Sequence, residues 1–537
     1  MNNDRRSCSI LLGVWLAILF LFGTAVSPVP SMADPRGEIR VVENWRPDIN
    51  VLGHNVLQYL FDYALDRNEL ASSLGISKKW INDTTLEIKL RQGVRFHNGE
   101  IFDAEAVKFN FDFQRIHNPS RGVQVYLKNL KEILVIDPHT VHFALSQPDA
   151  LILNRIAGGP YSGWVIGAPR YMERVGWQEF LRRPIGTGPY MIKGEIKDYR
   201  KGADGDTYAT LTANPDYWDP GYPKIKKIDF VHYAPEKALS ALIDSRVDLV
   251  TSLIPKDTTK VAENPNSMVV KGRQDVVFTV GALNLMSTQS LPLRDMRVRK
   301  ALNYAVNKEE LIRYAFKGNA SELKGVMMDR SGVDLSGTES YDWNIPKARE
   351  LMKEAGYEDG FSMKLCYLER DSLIARFLQR FFRLINVDLR ITPVPYEWLV
   401  EHMVYPNTRD DHSWEDEDWW MTLSTNPSYV PEAMAGLLEW FFHFDAAWKH
   451  FPDWLIVPLD RMYCELLRTT DRAKRFQIYK KANEYIADQA LWVFTVAPLS
   501  LYGVNKEVNF VPQVSQYLYL DYSYVSENHC SLRGKNN

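Results

Sequence analysis

Cysteine is scarce in this sequence, with four among 537 residues (Cys8, Cys366, Cys464 and Cys530) and no Cys-x-x-Cys pair. That excludes zinc knuckles and thioredoxin-like redox sites. Catalytic signatures are missing as well: there is no Gly-x-Ser-x-Gly, no His-Glu-x-x-His and no Walker loop. Carboxylates are plentiful, but no pair is marked out as the two acids of a glycosidase. No catalytic residue, metal ligand or cofactor is therefore assigned. Neither sign of charge dominates, which argues against a nucleic-acid footprint and against a polybasic membrane surface. There is no repeat at solenoid periods and no long low-complexity tract.

Long apolar runs are absent except at the start. Asp4, Arg5 and Arg6 precede an apolar stretch over residues 10–22, followed by Pro28, Pro30 and Ser31-Met32-Ala33. A charged head, an apolar middle and small residues at −3 and −1 predict a secretory signal cleaved after Ala33. The run is short for a membrane span, and prolines follow it. Arg5-Arg6 leaves general secretory and twin-arginine export both open. Cleavage removes two arginines and one aspartate, leaving 504 residues with 62 basic against 66 acidic. A chain of that length predicts two or three lobes. An oxidising compartment permits a Cys366–Cys464 bridge, with Cys530 left over.

Helical and strand periods alternate along the mature chain. Leu86, Ile88 and Leu90 alternate with charged residues as in a half-buried strand. Gln92-Gly93 and His97-Asn98-Gly99 supply turns, and Asp103 is placed to cap a helix burying Ala106, Val107 and Phe111. Residues 225–250 read strand, helix, strand, a β-α-β unit of an α/β sheet. Asn307 followed by Glu310 reads as a capping box. Residues 474–486 carry a helical stripe through Phe476, Tyr479, Ala482 and Ile486. The run from Val56 to Tyr63 also reads as helix-like.

Four blocks in order carry a family resemblance. Leu86-Glu-Ile-Lys-Leu-Arg-Gln-Gly-Val-Arg-Phe-His-Asn-Gly-Glu-Ile-Phe-Asp-Ala-Glu-Ala-Val107 resembles the signature of family 5 extracellular solute-binding proteins, the peptide-, nickel- and oligosaccharide-binding proteins of bacterial ABC importers. Pro184-Ile-Gly-Thr-Gly-Pro-Tyr190, Asn214-Pro-Asp-Tyr-Trp218 and Asp295-Met-Arg-Val-Arg-Lys-Ala-Leu-Asn-Tyr-Ala305 are similar to its later blocks. Within them, Gly186 and Gly188 are expected to serve as turns, and His97 as a turn residue rather than a metal ligand.

The resemblance implies an α/β, periplasmic binding protein-like (cluster C) clamshell with two lobes, three domains and mixed sheets. Domain I would take residues 34–62, 184–278 and 501–537, domain II 63–183 and domain III 279–500. Ligand would bind between lobes that close by bending near Asp62–Tyr63 and Arg183–Pro184. The implied partners are a small solute (peptide, oligosaccharide or opine-like compound) and the membrane permease subunits of an importer. The implied protein is a periplasmic monomer and not an enzyme; a secreted hydrolase of glycans or peptides is the alternative.

Expected ligand contacts are Trp45, His54, Asn55, Tyr161, Trp164, Asn284, Trp419, Trp420, Asn426 and Tyr429. Peptide-binding members hold the ligand ammonium with a domain III aspartate. The corresponding stretch here, Trp419 to Tyr429, has no acidic residue. With 15 tryptophans in the chain, whose flat faces suit sugars and cations, the ligand is expected not to be a simple free-amine peptide. Just upstream, the acidic run Asp410-Asp-His-Ser-Trp-Glu-Asp-Glu-Asp418 reads as a solvated loop, with cation binding as the alternative.

Overall fold

Three sheets organise the chain, and the sequence order of their strands is scrambled among them. The structure is a computed structural model. It describes residues 34–43, 51–63, 69–118, 127–158, 164–272, 277–328, 331–399, 401–402, 418–427, 433–443, 446, 450–512 and 518–533.

The first sheet has seven strands in the order Ser267–Lys271, Leu501–Asn505, Leu249–Val250, Arg36–Val42, Ile225–Val231, Thr207–Ala213 and Tyr190–Ile192. Arg36–Val42 alternates buried Ile39 and Val41 with more exposed Glu38 and Arg40, the period-two pattern of a strand with one face on a core. It pairs in parallel with Ile225–Val231 on one side and Leu249–Val250 on the other. The expected β-α-β unit is present, its helix being Pro235–Ile243. Its two strands are not neighbours, because Arg36–Val42 lies between them.

The second sheet is antiparallel, in the order Gly75–Asn82, Thr85–Leu90, Thr140–Leu145, Leu130–Asp137. Helix Ala104–His117 is capped by Asp103, whose side chain accepts from the Ala106 amide. The third sheet is mixed, in the order Ala320–Glu322, Trp492–Pro498, Val277–Leu283, Met421–Pro427, Phe361–Tyr367, Val387–Pro393. Helices Met296–Ala305, Ser372–Arg383, Ala433–Phe441, Asp453–Arg468 and Arg472–Asp488 contribute to the largest apolar core, with this sheet. Asn307 accepts from the Glu310 amide as expected, while the Glu310 carboxylate pairs with Arg380.

The first and third sheets are joined by two adjacent crossings, after Lys271 and after Pro498. Between them the Gly272 amide donates to the Ser500 carbonyl at 2.8 Å. The first and second sheets are joined differently. Amides of Leu74, Gly75, Gly158 and Ile166 donate to carbonyls of Tyr59, Leu60, Phe61 and Gln58, and His97 donates to Gly186.

Residues 56–63 are not helical, which corrects the sequence expectation. Leu57 and Gln58 form isolated bridges, and Phe61–Tyr63 is a strand paired with Leu70–Ser72. Every residue from Gly53 to Tyr63 is buried. A segment buried all round shows no amphipathic period, and here distant strands satisfy its backbone.

Candidate functional site

The segment around His54 is where the signature blocks meet. Gln58 is fully buried; its Oε1 accepts from Trp218 Nε1 (2.8 Å) and Thr187 Oγ1 (3.0 Å), and its Nε2 donates to the Tyr217 hydroxyl (3.0 Å). The Arg91 guanidinium lies 4.0 Å over the Trp218 ring. His97 Nδ1 accepts from the Gly186 amide, and its Nε2 donates to the Gly188 carbonyl. That fixes a neutral tautomer, and burial pushes the His97 pKa down to about 4 against the pull of the Gly188 carbonyl. Gly186 and Gly188 serve close approach rather than a turn: a Cβ on Gly186 would stand 2.1 Å from the Val56 carbonyl oxygen, and one on Gly188 2.7 Å from the Asn55 and Val56 oxygens. The blocks thus lock the scaffold beside residues 54–58.

His54 and Asn55 hold the chain's C-terminal segment. His54 has a positive φ of 57°. Its Nε2 lies 3.1 Å from Asp521 Oδ2, its Nδ1 3.4 Å from Asp62 Oδ2, and its ring stacks on Tyr519 at 4.0 Å. The Tyr519 hydroxyl donates to Asp62 Oδ1. Burial works against the imidazolium, but the Asp521 and Asp62 carboxylates outweigh it and raise the His54 pKa to about 10. Asn55 donates to the Leu518 carbonyl (2.7 Å) and accepts from the Leu520 amide (3.1 Å). Asp62 and Asp521 were missed in the sequence; neither lies in a motif.

The other expected contacts are scattered. Trp164 is fully buried and stacks on Phe111 at 5.1 Å, in the core of the second sheet. Trp419 is fully buried in the largest core, edge-on to His450. Both pack in a core, and neither offers an exposed ring face. Asn284 is buried too: its Oδ1 accepts from the Met286 and Ser287 amides, and its Nδ2 faces the Trp419 carbonyl. It builds the turn after Val277–Leu283. Trp420 is half-buried and stacks on Phe361 at 5.8 Å. The backbone of Asn426 pairs with Phe278 in the third sheet. Trp45, Tyr161 and Tyr429 lie outside the described residues.

A second polar cluster was missed altogether. Arg155, 3% exposed, donates through Nη1 to Asp149 Oδ2 (2.5 Å) and through Nη2 to Glu439 Oε1 (2.9 Å). The Tyr463 hydroxyl donates to the same Glu439 oxygen (2.7 Å). Burial and the Glu439 carboxylate raise the Tyr463 pKa, with Arg155 opposing. The sequence signal for Arg155 was a single cation inside the otherwise uncharged run Ala150-Leu-Ile-Leu-Asn-Arg-Ile-Ala157.

Cys366, Cys464 and Cys530 are all free thiols, so the Cys366–Cys464 bridge is not formed. Cys366 is buried in strand Phe361–Tyr367, and Cys464 is half-buried on helix Asp453–Arg468. The acidic run lies outside the described residues up to Glu417, while exposed Asp418 pairs with Lys364 at 2.7 Å. Among the described residues no cluster of three or more His, Cys, Asp or Glu side chains is placed to hold a metal ion. No described helix is long and apolar enough to cross a membrane.

The family model for bacterial extracellular solute-binding proteins, family 5 Middle, matches residues 67–448. A glutathione-binding protein, GsiB, of Pectobacterium atrosepticum is 27% identical over 449 residues, 81% of this chain and 82% of that protein. Among solved structures, the periplasmic binding protein DppA of Helicobacter pylori in complex with the peptide STSA superposes with a TM-score of 0.72 at 19% identity, covering 91% of this chain and 98% of DppA. The binding protein AgaA of Agrobacterium tumefaciens in complex with agropinic acid gives 0.72 at 19%, covering 92% and 99%.

Proposed function

The chain belongs to family 5 of the bacterial extracellular solute-binding proteins, and from that premise we propose that it captures a small conjugated solute between two lobes and releases it to the permease subunits of an ABC importer. The observation that carries this reading is the family match over residues 67–448, on a fold whose first and third sheets are joined by two side-by-side crossings at Gly272 and Ser500. Two adjacent strands crossing between two cores make a hinge about which rigid lobes rotate.

We place the hinge there rather than at 62–63 and 183–184, where backbone hydrogen bonds and the Gln58 node tie the first and second sheets together. Domains I and II then form one lobe and domain III the other. In support of the division, the seven-stranded sheet draws its strands from 34–62, 184–278 and 501–537, and the four-stranded sheet from 63–183. The six-stranded sheet draws on 279–500, apart from the first two residues of Val277–Leu283. The protein works as a periplasmic monomer after cleavage behind Ala33, and it binds without turnover.

The solute class proposed is a conjugate, an opine-like compound or a modified peptide such as glutathione, rather than an ordinary free-amine peptide. The main-chain ammonium of an ordinary peptide needs a carboxylate from the pocket when buried, and Trp419 to Tyr429 supplies none, whereas the ammonium of glutathione has a carboxylate of its own on the same carbon. The relatives that bind glutathione and agropinic acid support the same class. The test is a thermal-shift and calorimetry panel of reduced glutathione, agropinic acid, oligosaccharides and mixed di- to pentapeptides. A ligand at a hundredfold excess over Kd adds about 2.7 kcal/mol of stability. Stabilisation by glutathione or agropinic acid alone supports the class, and tight binding of ordinary peptides overturns it. A ligand recovered chemically altered would overturn the non-enzymatic reading.

A further inference from the structure

We propose that Arg155 and Glu439 form a closure latch, an ion pair made between the lobes when they shut, which sets solute affinity without touching the solute. The inference rests on the two-lobe reading above, in which residues 149–155 and 433–467 belong to opposite lobes.

Each half of the latch is already paired on its own side. Arg155 is held by Asp149, six residues away, and Asp149 is in turn fixed by Asn129 Nδ2 (2.9 Å) and the Leu151 amide (3.2 Å). Glu439, on helix Ala433–Phe441, is held by the Tyr463 hydroxyl from helix Asp453–Arg468. Arg155 reaches across to the other half, its Nη2 lying 2.9 Å from Glu439 Oε1 and 3.4 Å from the Tyr463 hydroxyl.

This arrangement differs from a permanent core ion pair. Pulling apart a permanent pair leaves two naked charges, whereas separating these halves leaves Arg155 on Asp149 and Glu439 on Tyr463. Opening therefore costs little, and the contact can be made and broken repeatedly. Two more contacts lie along the same line. The Ala150 amide donates to the Leu467 carbonyl at 2.7 Å, and Leu151 packs into the third sheet's core. The whole segment from Asp149 to Arg155 thus docks onto the opposite lobe, with Arg155 as the single cation between two buried carboxylates.

A buried ion pair is weak evidence for stability, and its best-attested use is to fix one arrangement over another. Here the arrangement is the closed one. Apparent affinity scales with the closed fraction, so a group that biases closure changes Kd from a distance. A closed-state contact is broken on release, so its loss speeds dissociation more than it slows association.

The test uses the full mature chain. Glu439→Gln keeps an acceptor for Tyr463 and removes the charge facing Arg155. The expected results are a larger ligand-free radius of gyration by small-angle scattering, and dissociation of glutathione, the probe, at least tenfold faster with association within twofold. The double variant Arg155→Met with Glu439→Met should release solute no faster than the single variant Arg155→Met, because once one side of the contact is gone the other has nothing left to lose. Hydrogen exchange on the wild-type chain gives a measurement independent of folding of the variants. The Ala150 amide should exchange faster than the core amide of Ile88 without solute and slow on saturation. Protection of Ala150 equal to that of Ile88 in the ligand-free chain would mark a permanent interface and overturn the latch. So would a Glu439→Gln protein with wild-type scattering and wild-type release. If the wild-type chain compacts with solute while those outcomes hold, the latch falls and capture stands. If no solute in the panel changes the wild-type profile, the capture reading itself falls.

Discussion

Replacing Gly186 with alanine tests whether the signature glycines exist for close packing. The added Cβ would stand 2.1 Å from the Val56 carbonyl oxygen, 2.9 Å from its carbon and 2.8 Å from Leu57 Cδ2. Two of these are backbone atoms and have no rotamer to escape into. The segments must separate by about 1 Å to restore ordinary contact distances. That separation strains the bonds from the Gly188 amide to the Val56 carbonyl (3.0 Å) and from the His97 amide to the Gly186 carbonyl (2.8 Å). Two such bonds are worth about 1 kcal/mol each, and overpacking adds about 1–3 kcal/mol. The expected loss is about 3–5 kcal/mol, a large share of a typical stability of about 5–15 kcal/mol. Urea denaturation should show a lower midpoint with little change in slope. The control is Gly194→Ala, where φ is +85° and nothing lies within 4 Å of the new Cβ; it should cost about 1–2 kcal/mol, from the left-handed backbone alone. A Gly186→Ala protein no less stable than the Gly194→Ala control would refute the packing argument.

The two buried histidines should give stability opposite slopes with pH. His54, raised from its ordinary 6.5 to about 10, contributes fully below pH 6.5, and that contribution is lost as pH climbs through about 10. His97, lowered to about 4, contributes fully above pH 6.5 and loses its share as pH falls towards 4. Denaturation midpoints measured from pH 4 to 10 should therefore lose part of their alkaline decline in His54→Gln and part of their acid decline in His97→Gln; unchanged slopes would refute the assignments. Intact mass of protein from a periplasmic extract should correspond to a chain beginning at Asp34, and a full-length product would refute cleavage after Ala33.

Local structure was legible wherever a short-range rule governs it. The alternation of Leu86, Ile88 and Leu90 gave a strand, Asp103 and Asn307 capped helices, and the strand–helix–strand pattern of residues 225–250 was correct. What failed was set by distant partners. Residues 56–63 carry no period because they are buried on all sides. The full burial of Trp164 and Trp419 could not be read locally, because nothing near them in the chain shows that a core closes over them. His54 was noticed, but its partner Asp521 is 467 residues away. Arg155 and Glu439 are 284 residues apart, and each looks ordinary until the fold brings them together.

The order of strands in the first sheet also governs when this protein can fold. Leu501–Asn505 lies between Ser267–Lys271 and Leu249–Val250, and the segment held by His54 and Asn55 follows it at residues 518–521. A ribosome synthesises Arg36–Val42 long before these partners. Until nearly the whole chain has emerged, Ser267–Lys271 has no neighbour and the pocket around His54 stays unfilled. Loop closure over such a separation is slow compared with local pairing. The nascent chain therefore has no finished first domain until residues 501–521 have emerged, a state that would suit a channel admitting only unfolded polypeptide were the chain exported through one.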